Sequence, residues 1–287
     1  MKLYSPSTIQ DIRERYDFKL SKSLGQNFIT DRNVIEKIVE GAQIGPADLV
    51  IEIGPGIGVL TAAAAEQAAR VVAIEIDSKL IPILSETLAG YDNIRIVNQD
   101  VLKTDINGII DEERSAGTFT GSVKILGNLP YYITTPIIMG ILENGTEAES
   151  ITIMMQKEVA DRMRAHPGTK AYGALSVAVQ YYTRPHIAFD VPPRSFIPAP
   201  EVDSVVIVCD VREKPAVEVK SEKMFFRVVK AAFGQRRKTM ANALKGAGFL
   251  QEDIKAAFDK CGLDSGRRGE TFSLEEFGIL ADAFVQE

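Results

Sequence analysis

Asn128-Leu-Pro-Tyr131 gathers groups that can handle an amine. The asparagine side-chain carbonyl and the carbonyl of Pro130 can each accept a hydrogen bond from an exocyclic NH2, which orients the nitrogen lone pair. Tyr131 offers a face on which a base can stack. Upstream, Glu52-Ile-Gly-Pro-Gly-Ile-Gly58 supplies a glycine turn. Glycines at Gly54 and Gly56 let backbone approach a ligand, and a helix start beyond them favours polar or anionic groups. Glu75 follows Gly54 by 21 residues, and a carboxylate there can accept both hydroxyls of a ribose. Asp100 can accept from the amino group of an adenine. Together these residues suit a site that binds a nucleoside cofactor and presents an amine to it, as methylation of a nucleobase amine requires.

Alternatives stay open at this level. Glu75 and Asp100 can also be solvated carboxylates at strand ends. A ribose-binding carboxylate does not separate a nicotinamide dinucleotide from S-adenosyl-L-methionine. The dinucleotide fingerprint GxGxxG needs a small residue where Val59 stands, which disfavours a nicotinamide oxidoreductase. A hydride-site histidine or Tyr-Lys pair is also missing.

The elements that must position these residues alternate. Apolar runs at Leu49–Ile53, Val71–Ile76, Ile94–Asn98, Val123–Gly127 and Ile151–Met155 predict strands. Helical patterns lie between them, at Val34–Ala42 with Asp31 as N-cap, Val59–Ala69, Lys79–Ala89 and Pro136–Glu143. This order predicts an α/β fold with a doubly wound, Rossmann-like parallel sheet and ligands at the strand C-termini. Tyr172–Tyr182 predicts a helix, Pro185–Pro200 a proline-rich connector, and Val205–Val211 a last strand. Helices predicted at Glu222–Phe233, Lys238–Gly246, Gln251–Cys261 and Ser273–Phe284 make a small all-helical C-terminal domain. The expected division is 1–211, with an N-terminal arm over 1–30, and 212–287.

The chain has 287 residues, 45% hydrophobic and 25% charged, and a net charge of −6. That size allows a large core and a second, smaller domain. No apolar run reaches transmembrane length, and the polar N-terminus lacks a secretory apolar region, so a cytoplasmic protein is expected without membrane partners. Cys209 and Cys261 share no CxxC spacing, and His166 and His186 are the only histidines, which argues against a zinc site. The negative charge hides a local basic stripe. Lys223, Arg227, Lys230, Arg236, Arg237, Lys238 and Lys245 follow one another with no acidic residue between. Such a stripe can bind phosphates, and it can equally be a solvated helix face.

On these residues the chain resembles the KsgA-type ribosomal-RNA adenine dimethyltransferases over nearly its whole length. Ser23-Leu-Gly-Gln-Asn-Phe28 resembles the family's N-terminal motif over the cofactor. Glu52–Gly58, Glu75, Gln99-Asp100 and Asn128–Tyr131 match its successive methyltransferase motifs. Ser195–Ser204 resembles its late loop with a target-stacking aromatic. Phe233–Thr239 and Gly266–Glu270 resemble its helical C-terminal domain. The resemblance implies S-adenosyl-L-methionine contacts from Gln26, Asn27, Ile29, Gly54, Gly56, Glu75, Asp100 and Asn128. It implies target-adenine contacts from Asn128 and Tyr131, with Phe196 over the other face of the base. Core packing beside Pro198 and Pro200 is the plainer reading of Phe196 from the residues alone. Arg236, Arg237 and Lys238 are the expected RNA contacts.

The implied substrate is small-subunit ribosomal RNA or an immature small subunit, dimethylated at two adjacent adenosines near its 3′ end by a monomeric enzyme. Two rivals remain: the related antibiotic-resistance enzymes acting on large-subunit RNA, and a non-catalytic RNA-binding assembly factor on the same fold. The basic helical domain and the Phe196 loop speak against the first, and the intact Asn128–Tyr131 motif against the second.

Overall fold

The computed structural model describes residues 2–18 and 27–285. In chain order the elements are α1 (Pro6–Arg15), β1 (Phe28–Ile29), α2 (Arg32–Gly41), β2 (Leu49–Ile53), α3 (Val59–Ala65), β3 (Arg70–Glu75), α4 (Leu80–Thr87), β4 (Ile94–Asn98), α5 (Ile106–Ser115), β5 (Val123–Asn128), α6 (Thr134–Glu143), β6 (Ser150–Gln156), α7 (Lys157–Met163), α8 (Ala174–Tyr182), β7 (Thr183–Val191), β8 (Phe196–Ile197), β9 (Ser204–Val211), α9 (Glu222–Gly234), α10 (Met240–Gly246), α11 (Gln251–Cys261) and α12 (Leu274–Ala283).

Two compact units form. The first comprises Met1–Ala160 and His186–Val211. Its sheet has the order β4-β3-β2-β5-β6-β9-β7. The five strands β4, β3, β2, β5 and β6 are parallel, as the alternation of strand and helix predicts. All five residues of β2 are buried, the mark of a central strand covered on both faces. Register then places the chemistry. Glu75 pairs with Asn98, Ile53 with Gly127, and Asn128 with Met154, so Glu75 and Asn128 both close strands at the same sheet edge. Asp31 caps α2 as expected, accepting from the Asn33 amide at 3.0 Å.

The sheet departs from expectation on its other flank. β9 runs antiparallel to β6, and β7 forms an edge strand that runs into the segment expected to be a connector. Along β7 buried ends enclose alternating exposed and half-buried residues, the pattern of an edge strand. Pro185, which suggests a connector, is tolerated there because an edge strand leaves one side of its backbone unpaired.

The second unit comprises Asp161–Pro185 and Arg212–Glu287. It therefore takes in more of the chain than the segment expected from residue 212 onward. Tyr172, Val177 and Tyr181 pack in one apolar cluster with Phe225, Val228, Phe272 and Phe277, which draws α8 into this unit. Tyr181 stacks on Phe225 with ring centroids 4.8 Å apart. Among the described residues no helix is long and apolar enough to cross a membrane.

Candidate active site

A pocket opens at the C-terminal edge of the parallel strands of the first unit. Gly54, Gly56, Glu75, Asp100 and Asn128 line it, with Asn27 and Ile29 from the N-terminal arm. These are the residues expected to hold the cofactor, apart from Gln26, which lies outside the described residues. The glycine turn needs its glycines. Gly54, Gly56 and Gly58 have φ of 69°, 61° and 89°, a region that side chains disfavour. A Cβ on Gly56 would stand 2.9 Å from the Phe28 ring, whereas one on Gly54 would meet nothing within 4 Å. The first glycine thus leaves open space, and the second admits the arm.

Glu75 is buried and held by backbone. Its Oε1 accepts from the Asp77 amide at 2.8 Å, and its Oε2 from the Gly56 amide at 3.4 Å. Burial raises its pKa, and these N–H donors oppose the rise. Asp100 caps the short turn Val101–Lys103, its Oδ1 accepting from the Leu102 amide at 3.0 Å. Deeper still lies Glu52, only 1% exposed. Its Oε2 has no hydrogen-bond partner, and neither has the nearby Thr61 hydroxyl. Burial pushes the Glu52 carboxyl up to about 8, and the Glu75 charge adds to the rise. Sequence reasoning gave Glu52 no role. The signal was a glutamate inside an apolar strand with no solvent face.

At the amine end, Asn128 Nδ2 donates to the Asn27 carbonyl at 2.8 Å. That contact ties the end of β5 to the arm and fixes the amide, so the side chain offers the pocket an acceptor rather than a donor. Pro130 lines the pocket too, but its carbonyl is already engaged, by the Ile133 amide at 3.1 Å and the Thr134 hydroxyl at 3.0 Å. The Tyr131 hydroxyl shares a 2.7 Å hydrogen bond with Ser204 Oγ, which fixes the ring, and burial raises its pKa. Tyr132, 61% exposed, also lines the pocket and was missed from sequence.

Phe196 stands elsewhere. It pairs through β8 with Ile29, is buried in the apolar cluster with Phe28 and Ile29, and does not line the pocket. In this structure core packing, the plainer reading, describes it. The strand pairing turns the ring into the core.

Arg236, Arg237 and Lys238 are exposed in the turn between α9 and α10 of the second unit. They precede the helix, which begins at Met240 rather than Lys238. Arg236 also has a structural task, since its Nη2 donates to the carbonyls of Lys170 and Tyr172 at 2.9 and 3.2 Å. Arg227 lies over the Phe249 ring, 4.2 Å from its centroid.

The chain is similar to known proteins. A family model described as ribosomal RNA adenine dimethylase matches residues 17–277. The ribosomal RNA small subunit methyltransferase A of Alkaliphilus oremlandii is 51% identical, over 100% of this chain and 99% of the relative. That of Clostridioides difficile is 51% identical over 98% and 96% of the two chains. Among solved structures, a dimethyladenosine transferase from Plasmodium falciparum has a TM-score of 0.74 at 23% identity, covering 88% of this chain and 95% of the other, and shows the shared fold. The 23S rRNA methyltransferase ErmE has a TM-score of 0.65 at 28% identity, covering 90% of this chain and 100% of the other.

Proposed function

The chain belongs to the ribosomal RNA adenine dimethylase family, and from that premise we propose that it transfers methyl groups from S-adenosyl-L-methionine to the N6 amine of adenosines in small-subunit ribosomal RNA. The proposed target is the pair of adjacent adenosines near the 3′ end, in an immature subunit in the cytoplasm. The observation that carries this reading is Asn128, with its amide nitrogen held by Asn27 and its carbonyl left for a substrate amine.

The pocket fits the cofactor. Gly54 leaves space in front of the turn, Glu75 is a buried carboxylate at a strand end, and Glu52 holds an unpartnered oxygen in the pocket wall. Glu75 would accept the ribose hydroxyls, Asp100 the adenine amino group, and Asn27, Ile29, Gly54 and Gly56 would line the remainder. When bound, S-adenosyl-L-methionine supplies an electrophilic methyl group on a sulfonium. The protein's task is to make the amine nucleophilic. The adenine amine is weak because its lone pair is delocalised into the ring. The acceptor at Asn128 draws the NH2 towards a tetrahedral geometry and stabilises the positive charge that develops, and the Pro130 carbonyl joins it where the amine displaces the Thr134 hydroxyl. A proton then leaves to water. Tyr131, fixed through Ser204, offers a wall for the unstacked base.

Labelled S-adenosyl-L-methionine incubated with the protein and immature small subunits, followed by mass spectrometry of the nucleosides, tests this. N6,N6-dimethyladenosine in small-subunit RNA is expected. Label confined to large subunits, or no label, would refute it.

A further inference from the structure

The two acceptors of the amine site are not in the same state. Asn128 Nδ2 is committed to Asn27, and no donor among the described residues reaches its Oδ1. The Pro130 oxygen, by contrast, already receives the Ile133 amide at 3.1 Å and the Thr134 hydroxyl at 3.0 Å. Thr134 is 1% exposed, so bulk water is not at hand to take its place. Threonine hydroxyls can bond the carbonyl four residues earlier. Here that carbonyl belongs to the pocket wall.

The difference matters because the substrate changes between two transfers. In each, the nitrogen lone pair forms the new C–N bond. The C–S bond of the methyl donor breaks with its electron pair going to sulfur, and one N–H proton passes to water. Adenine enters with two N–H donors, and N6-methyladenine enters with one. An acceptor facing a methyl group is left without its partner, and buried groups in that position are costly. The Pro130 carbonyl escapes this cost because the Ile133 amide keeps one of its lone pairs throughout, and the Thr134 hydroxyl fills the other whenever the amine does not.

We propose that Thr134 is a positioning residue that sets the number of methyl groups added: it fills the second lone pair of the Pro130 oxygen, beside the Ile133 amide, when the amine has a single N–H left, which Asn128 Oδ1 then holds. This rests on the adenine dimethylation proposed above. The first transfer needs Thr134 little, since a two-donor amine can supply Pro130 itself. The second depends on it.

Thr134→Val removes the hydroxyl and keeps the shape, and Thr134→Ser restores the hydroxyl. After reaction with immature small subunits, the ratio of N6-methyladenosine to N6,N6-dimethyladenosine is read by mass spectrometry. The valine variant should raise that ratio about 3- to 10-fold, the worth of one hydrogen bond lost from an oxygen that keeps the Ile133 amide, and the serine variant should return it to the wild-type value. A second readout needs no turnover. Fluorescence anisotropy with a small-subunit RNA fragment, its target adenines unmodified or N6-methylated, should show the valine variant losing affinity for the methylated fragment relative to the unmodified one. If Thr134→Val melts early, Thr134→Ala poses the same question without added bulk. An unchanged ratio, or an equal fall in both products that serine does not rescue, would overturn the proposal. Wild-type protein that leaves adenines unmethylated would instead bring down the functional reading, and this inference with it.

Discussion

Asn128 and Asn27 stand 101 residues apart in sequence, and the Asn128 Nδ2 donates to the Asn27 carbonyl at 2.8 Å. The bond joins the end of a buried strand to the N-terminal arm. It also decides which atom the amide presents to the pocket, because a primary amide with its nitrogen committed offers its oxygen. Asn128→Ala removes that oxygen together with the tie to the arm. Turnover should fall ~10²–10³-fold, the usual effect of losing one group that stabilises developing charge, while RNA affinity changes little. Single-turnover methylation alongside RNA titration checks this. Near-normal turnover in the variant would mean that Pro130 suffices as acceptor.

Glu75 is held by two backbone amides, from Gly56 and Asp77, before any ligand arrives. Such preorganisation spares a cofactor the ordering of the carboxylate. Glu75→Ala should remove two charge-assisted hydrogen bonds to the ribose, each worth about 1.5–3 kcal/mol, and weaken cofactor affinity at least ~10-fold. Calorimetric titration with S-adenosyl-L-methionine measures it directly. Unaltered affinity in a folded variant would remove Glu75 from the cofactor site.

What the sequence disclosed followed from where apolar runs end. The parallel strands were legible because each is a short, largely apolar segment between helical patterns, and Glu75, Asp100 and Asn128 were legible because they stand at or just beyond such ends. β7 was hidden by Pro185 and by a half-exposed edge pattern that resembles a connector. α1 and α5 were hidden by their polar faces, since each buries only a few residues. Phe196 illustrates a different limit. Its loop could be recognised, but the side of the strand pair on which the ring falls depends on the partner strand β1. The occupied state of the Pro130 carbonyl depends on a hydrogen bond that no spacing announces.

The Glu52 carboxyl is fully buried and its Oε2 has no partner, so burial pushes its pKa from 4.5 up to about 8. The folded chain therefore keeps a proton that the unfolded chain releases near pH 4.5. Wherever the folded state binds more protons, stability falls as pH rises. This loss should begin near 4.5 and level off above about 8. Glu52→Gln removes the titration and should flatten the slope, with a gain of as much as ~3 kcal/mol at pH 7 in the protein without cofactor. Urea unfolding at pH 5.5 and pH 7.5 compares the two proteins. A slope equally steep in the glutamine variant would assign the pH dependence to other groups.

The last expectation concerns the turn between α9 and α10. Arg236, Arg237 and Lys238 are all exposed there, in a chain whose net charge is −6. They precede the N-terminus of α10, where a cation gains nothing from the helix dipole. The three are not equivalent. Arg236 is bonded to the Lys170 and Tyr172 carbonyls and so helps to hold the second unit together. Arg237 and Lys238 make no such bonds among the described residues, which leaves their charge for phosphates. Each phosphate contact contributes a near-unit term to the salt dependence of binding. Arg237→Gln with Lys238→Gln should therefore weaken binding to small-subunit RNA and flatten the plot of log affinity against log salt by about two units. Adding Arg236→Gln should flatten it by at most about one unit more, and should lower the melting temperature as well. Cofactor affinity should stay the same throughout, since the cofactor pocket is built from residues of the first unit. Filter binding across a salt series, with thermal melts in parallel, separates the two roles. A double variant that keeps the wild-type slope would reduce the basic turn to solvated surface.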